Sequence, residues 1–284
     1  MKFHQAKAQL FVPDSLGETE ALARTTHLGI GAHQDDLEFM AYHGIAACYE
    51  QADRWFTGVT CTNGAGSSRT GPFADYTDEQ MQEVRREEQN EAATLGKYAA
   101  QFQLDFPSSA MKDPTDREAQ SELAQIITAT RPEVIYTHNP ADKHPTHLAV
   151  TAAVIMALRA LPAEYHPKQF LGCEVWRDLD WLTDAEKVPL DVSAHPELAT
   201  KLTSLFASQI AGGKRYDLAV EGRQRANATF FDSHSVDAVT HLTFAIDLTP
   251  LLTDPTSDPV DFTLGHIDRF RSGVTEAFSP FFAK

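Results

Sequence analysis

At 284 residues, with 42% apolar and 23% charged side chains, the chain has the composition of an ordinary globular protein and can bury one sizeable α/β core. Asp and Glu number 40 against 24 Lys and Arg, a formal charge of −16 that lacks the basic footprint of a nucleic-acid binder. Cys48, Cys61 and Cys173 form no C-x-x-C pair, and no apolar run reaches the ~18 residues of a membrane span, so a cytoplasmic enzyme is expected.

In chain order, residues 1–25 are polar, carry Pro13 and Gly17, and read as an N-terminal arm; 26–284 then form a single domain. His27 to Ala32 predicts a short buried strand, followed by a helix from Leu37 to Gln51. Trp55 to Thr62 is a second strand and Asn63 to Pro72 a Gly-rich loop. Thr77 caps a long helix that ends at Gly96. Gln101 to Phe106 is a third strand, Asp116 to Thr130 a helix stopped by Pro132, and Val134 to His138 a fourth strand. A helix begins near Thr146, and Phe170 to Trp176 is a fifth strand. After about residue 177 come elaborations: helices over Glu197 to Gln209 and Tyr216 to Phe230, then a strand over Thr240 to Leu248. Phe278, Phe281 and Phe282 should pack on the main domain or on a second subunit of a homo-oligomer. Such alternation requires a mostly parallel sheet with helices on both faces, and sheets of that kind bind ligands at the C-terminal strand ends.

Two of those ends are rich in His and Asp. His33-Gln34-Asp35-Asp36 follows the first strand, and Asp142 to His147 follows the fourth. A catalytic zinc takes three N or O ligands and leaves a fourth position to water. His33 and Asp36 can converge from one turn, with His147 completing the set from the other. Asp35 is then free to act as general base, and a protonated His144 as oxyanion stabiliser with Asp142 on its other ring nitrogen. Asn63 and Arg69 are candidates for substrate binding, and the tryptophans of Trp176 to Trp181 either stack on a sugar or belong to the core. Lys214, Arg215, Arg223 and Arg225 hint at phosphate or carboxylate recognition, or form a solvated helix face. His138, His43, His166, His195 and His234 read as structural. Gly29-Ile30-Gly31 lacks the third glycine of a dinucleotide fingerprint, since Gln34 stands there.

At these residues the chain resembles the LmbE-like, or PIG-L, N-deacetylase family. Ala32-His33-Gln34-Asp35-Asp36-Leu37-Glu38 matches the motif A-H-P-D-D-x-E except at Gln34. Asn139 to His147 matches N-P-x-D-x-H-P-D-H except at Thr146, and Arg85, Glu88, Ala92, Leu95 and Gly96 match R-x-x-E-x-x-x-A-x-x-L-G. The resemblance covers residues 26 to 160 and implies a Rossmann-like fold, a divalent metal (usually zinc) on His33, Asp36 and His147, Asp35 as base and His144 as transition-state stabiliser. It further implies a small N-acetylated substrate, of the amino-sugar kind. A zinc amidase on a larger amide, or a metal- or sugar-binding module without activity, are the alternatives; Thr146 in place of Asp favours the latter.

Overall fold

The computed structural model describes residues 1–282 except Ser68 and Gly212. Eight strands form one sheet: β1 (Gln9–Phe11), β2 (His27–Gly31), β3 (Phe56–Thr62), β4 (Ala100–Phe106), β5 (Val134–His138), β6 (Gln169–Cys173), β7 (Lys187–Asp191) and β8 (Leu242–Asp247). They lie in the order β1-β4-β3-β2-β5-β6-β8-β7. The five central strands, β4 to β6 in that order, are parallel. β1 adds antiparallel to β4 at one edge; at the other, β8 adds antiparallel to β6 and β7 antiparallel to β8.

Period-two side-chain alternation divides β2 between two cores. Leu28 and Ile30 enter one with Val59, Phe102, Ile126 and Val150, covered by the helices Glu118–Thr130 and Pro145–Ala160. On the opposite face Gly29 and Gly31 leave room for Leu37 of the short helix Asp36–Met40, in a core with Met40, Phe56, Tyr98 and Tyr136. A Cβ on Gly29 would come within 2.6 Å of the Phe56 ring and 3.0 Å of Leu37. The Gly-x-Gly therefore serves close packing of helix on strand. The helix Asp78–Leu95 starts as predicted, with a capping box between Thr77 and Gln80.

Strand order runs from β2 to β3 and β4 on one side and from β2 to β5 and β6 on the other. The crevice beyond the C-terminal ends of β2 and β5 is thus the switch point at which such sheets hold ligands. It lies where His33 to Asp36 and Asp142 to His147 emerge.

Several expectations change. Residues 1–25 are no free arm: β1 extends the sheet, and a helix, Glu18–Ala23, follows it. The helix expected over Leu37 to Gln51 is two, Asp36–Met40 and Tyr42–Cys48, broken at Ala41, whose backbone (φ −109, ψ 16) leaves the helical region. β7 and the 20-residue helix Pro259–Phe278 had no counterpart in the sequence reading. Phe278, Phe281 and Phe282 are 60%, 80% and 71% exposed, so they do not pack on the main domain. The three cysteines are free and buried, and burial pushes the Cys48 thiol up to about 12. No helix among the described residues is long and apolar enough to cross a membrane.

Candidate metal centre

The turn after β2 is tightly built. Asp35 sits at φ +96, a region that non-glycine residues enter only under strain. The backbone N–H of His33 donates to Asp36 Oδ2 at 2.7 Å, folding that carboxylate back under the imidazole. Gln34, in the motif's proline position, is buried. Its amide donates to Thr62 O at 3.1 Å and to Gln103 Oε1 at 3.3 Å, across the ends of β3 and β4. Arg85, from the helix Asp78–Leu95, donates to Gln34 O at 2.7 Å and lies 3.9 Å from Asp35 Oδ1. Burial pushes the Asp35 carboxyl well above its ordinary range. Arg85 opposes this, while Asp36, Glu38 and Glu88 reinforce it.

The loop after β5 supplies the imidazoles. His144 caps the helix Pro145–Ala160: its Nδ1 accepts from the Thr146 N–H at 3.3 Å. That makes Nε2 the protonated nitrogen of the neutral ring. Burial, with His147 and His33 nearby, pushes its pKa down to about 4, so His144 is neutral rather than the expected cation. Asp142 accepts the backbone N–H of His144 at 2.9 Å, but the ring it approaches is that of His147, with Nδ1 3.4 Å from Oδ1. The carboxylate expected behind His144 is therefore behind His147, where it orients Nε2 towards the turn after β2. The position where the family motif has Asp, Thr146, is buried and contributes its N–H to His144.

Three side chains converge. His147 Nε2 lies 3.2 Å from His33 Nδ1 and 3.5 Å from Asp36 Oδ1, and His33 Nδ1 lies 3.3 Å from Asp36 Oδ2. Ligands on a tetrahedral ion with bonds of 2.0–2.1 Å are spaced by about 3.3 Å, close to the 3.2 Å between the two ring nitrogens, and each ring faces a different oxygen of Asp36. Without a cation or proton between them these lone pairs would repel. Burial acts to raise the pKa of Asp36, yet His147, His138 and His33 outweigh it and hold the carboxylate well below its usual range. Burial likewise opposes charge on His147, but Asp36 and Asp142 overcome it and raise its pKa.

His138, read from sequence as structural, belongs to this cluster. Its ring stacks on His147 at 3.8 Å, and Nε2 lies 3.5 Å from Asp36 Oδ2. Among the described residues two groups of three donors lie close enough together for an ion, His33 with His144 and His147, and Asp36 with His138 and His147; the set His33, Asp36 and His147 draws on both. Two of these nitrogens are already engaged: His138 Nε2 accepts from the Ala32 N–H at 3.0 Å, and His144 Nδ1 from Thr146. The only local signal for His138 was its place at a strand end.

A cavity of about 650 Å3 opens over the cluster, with His33, Asp35, Asp36 and His144 on its floor. Much of its wall comes from the C-terminal elaborations. Trp176, past the end of β6, stands 6.3 Å from the His144 ring and 5.7 Å from Tyr216. The helix Tyr216–Phe230 presents Tyr216, Ala219, Val220 and Arg223, spaced along one face, to the cavity. Glu88 anchors this side, accepting from the N–H and hydroxyl of Ser208 at 2.8 and 2.5 Å. Asn63 and Arg69, expected near the substrate, are used inside their own loop instead. Asn63 Oδ1 accepts from the Ala65 N–H, while Arg69 donates to Ala65 O and pairs with Asp78. Gly64, Gly66 and Ser67 of that loop line the cavity.

A family model described as PIG-L: GlcNAc-PI de-N-acetylase matches residues 28–158, which hold both strand-end motifs and the Arg85–Glu88 pair. Over that segment the chain is similar to the PIG-L family. Beyond it, the architecture is that of several solved structures. The conserved protein TT1542 from Thermus thermophilus is 20% identical and superposes with a TM-score of 0.61 over 82% of this chain and 98% of its own. The N,N'-diacetylchitobiose deacetylase from Pyrococcus horikoshii gives 17%, 0.62, 82% and 86%. GalB, the 4-carboxy-2-hydroxymuconate hydratase from Pseudomonas putida, gives 19%, 0.61, 79% and 95%. These likenesses establish the fold, which houses both a deacetylase and a hydratase. No curated protein sequence matches the chain.

Proposed function

We propose that the chain is a zinc-dependent hydrolase that removes an N-acetyl group from an amino sugar or related small molecule in the cytoplasm. The observation that carries this reading is the convergence of His33 Nδ1, Asp36 and His147 Nε2 at 3.2–3.5 Å beside a buried, strained Asp35. His33, Asp36 and His147 would hold the ion: His33 Nδ1 and His147 Nε2 accept no backbone N–H, whereas His138 Nε2 and His144 Nδ1 do. When bound, zinc acidifies a water and polarises an amide carbonyl. Asp35, a buried carboxylate with a raised pKa, takes the proton from the attacking water and delivers it to the departing amine. His144, neutral and protonated on Nε2, donates a hydrogen bond to the developing oxyanion, an interaction worth about 3 kcal/mol. Asp142 holds the tautomer of His147. Three free buried thiols suit a reducing compartment. A cavity of about 650 Å3 also has room for a larger amide, which keeps an amidase as the second reading.

The deciding experiment measures metal content and acetate release together, over a panel of N-acetylated amino sugars, with and without chelation. Acetate released by the zinc-loaded form alone supports deacetylation. One metal per chain with no acetate turns the reading towards the amidase, or towards a hydratase of the kind that shares this fold. Failure to bind metal removes its basis.

A further inference from the structure

The cavity reverses the charge of the molecule. In a chain of formal charge −16, its wall carries Arg85, Lys112, Lys214, Arg215 and Arg223 against only Asp35 and Asp36. Two of these cations have partners already: Arg85 is tied to Gln34 O and Asp35, and Arg215 pairs with Asp217 at 2.7 Å. Arg225, outside the cavity, pairs with Glu221 one turn back on the same helix. Among the described residues Lys112, Lys214 and Arg223 have no ion-pair partner.

Lys214 and Arg223 flank one aromatic platform. Lys214 Nζ lies 5.6 Å from the centre of the Trp176 ring, and Arg223 donates through Nη1 to the carbonyl of Val175. That bond fixes the guanidinium at the cavity wall and leaves its other N–H groups free. Glu174, the buried carboxylate next to Val175, accepts from Asn227, Thr243 and the Phe244 N–H and makes no ion pair with Arg223 among the described residues. Ring centres run 4.9 Å from His33 to His144 and 6.3 Å on to Trp176, over whose ring Lys214 Nζ lies. A ring lying on Trp176 would bring a substituent on its far side to these two cations.

We propose that the substrate carries a compact oxyanion, carboxylate or phosphate, on its amine-bearing part, and that Lys214 and Arg223 bind it beside Trp176. This rests on the hydrolase reading for the rest of the substrate. Unpaired cations facing a cavity draw an anionic ligand and exert more force there than in open water.

The test uses the zinc-loaded full chain with N-acetylglucosamine, its 1-phosphate and 6-phosphate, and the carboxylate N-acetylmuramic acid. At least one anionic sugar should exceed the neutral one in kcat/KM by about 10-fold or more, the scale of one charge-assisted contact. Lys214→Ala and Arg223→Gln should each bring that ratio down several-fold, and Arg225→Ala should leave it in place. Which sugar wins separates phosphate from carboxylate. Calorimetric binding of the same compounds to Asp35→Asn makes the result independent of turnover: if no acetate is released, tighter binding of an anionic sugar upholds the oxyanion site while the deacetylase reading falls. Equal kcat/KM and equal affinity for neutral and anionic sugars would overturn the proposal. So would a preference that survives both substitutions.

Discussion

Asp35 combines three unfavourable conditions: a positive φ, burial, and the neighbouring carboxylates Asp36 and Glu38. Backbone strain of this kind costs about 1–3 kcal/mol and persists where the surroundings impose it. Here Arg85 imposes it by clamping Gln34 O, and the Asp35 N–H reaches Gln89 Oε1 at 3.3 Å. Asp35→Asn keeps the shape and removes the charge. Turnover should fall ~100-fold or more with metal content unchanged; near-wild-type turnover would take the base role from Asp35. His147 is the opposite case, since removing it takes away a central donor. His147→Ala should lose the metal while keeping its circular dichroism, and full occupancy would overturn its assignment as a ligand. Asp142→Ala removes the carboxylate behind His147, which also accepts the His144 and Trp176 N–H groups, so metal affinity should drop roughly 10–100-fold.

At the scale of elements, the junction of β2 with the helix Asp36–Met40 sets the site. That helix has five residues and little intrinsic stability, so packing holds it in place. Gly29 permits the packing, because an added methyl would meet Phe56 at 2.6 Å. Gly29→Ala should cost about 1–3 kcal/mol in urea unfolding. Gly222, inside the helix Tyr216–Phe230, has nothing within 4 Å of its would-be Cβ. Gly222→Ala should therefore stabilise by roughly 0.5–1 kcal/mol. Equal effects at the two sites would refute the close-packing account.

For the whole molecule, the parallel sheet gathers His33, Asp36, His138 and His147 from two strand ends into one buried cluster. A cation binding to these donors only in the folded state stabilises that state by mass action. Zinc at about 100 times its Kd should add ~2.7 kcal/mol, or roughly 5 °C or more in Tm. No change in Tm on adding zinc or a chelator would contradict a preformed site.

The strand–helix alternation, the parallel sheet and the two His- and Asp-rich strand ends are legible in the amino-acid order. These follow from short-range causes: side-chain period, turn residues, and donor groups three positions apart, as those of His33 and Asp36 are. What depends on separation in sequence was decided by tertiary structure. His138 meets Asp36 because β5 pairs with β2, and a lone histidine at a strand end carries no local mark of that pairing. Asp142 lies two residues from His144 yet serves His147, because the helix Pro145–Ala160 begins by turning the His144 ring onto its own first N–H groups. Trp176, Lys214, Tyr216 and Arg223 became cavity wall through the docking of a helix whose local pattern also suits a solvated face. Arg69, read from sequence as a substrate contact, pairs with Asp78 at the start of the next helix. Backbone periodicity is a property of neighbours along the chain, whereas a site's walls depend on which distant surfaces bury each other.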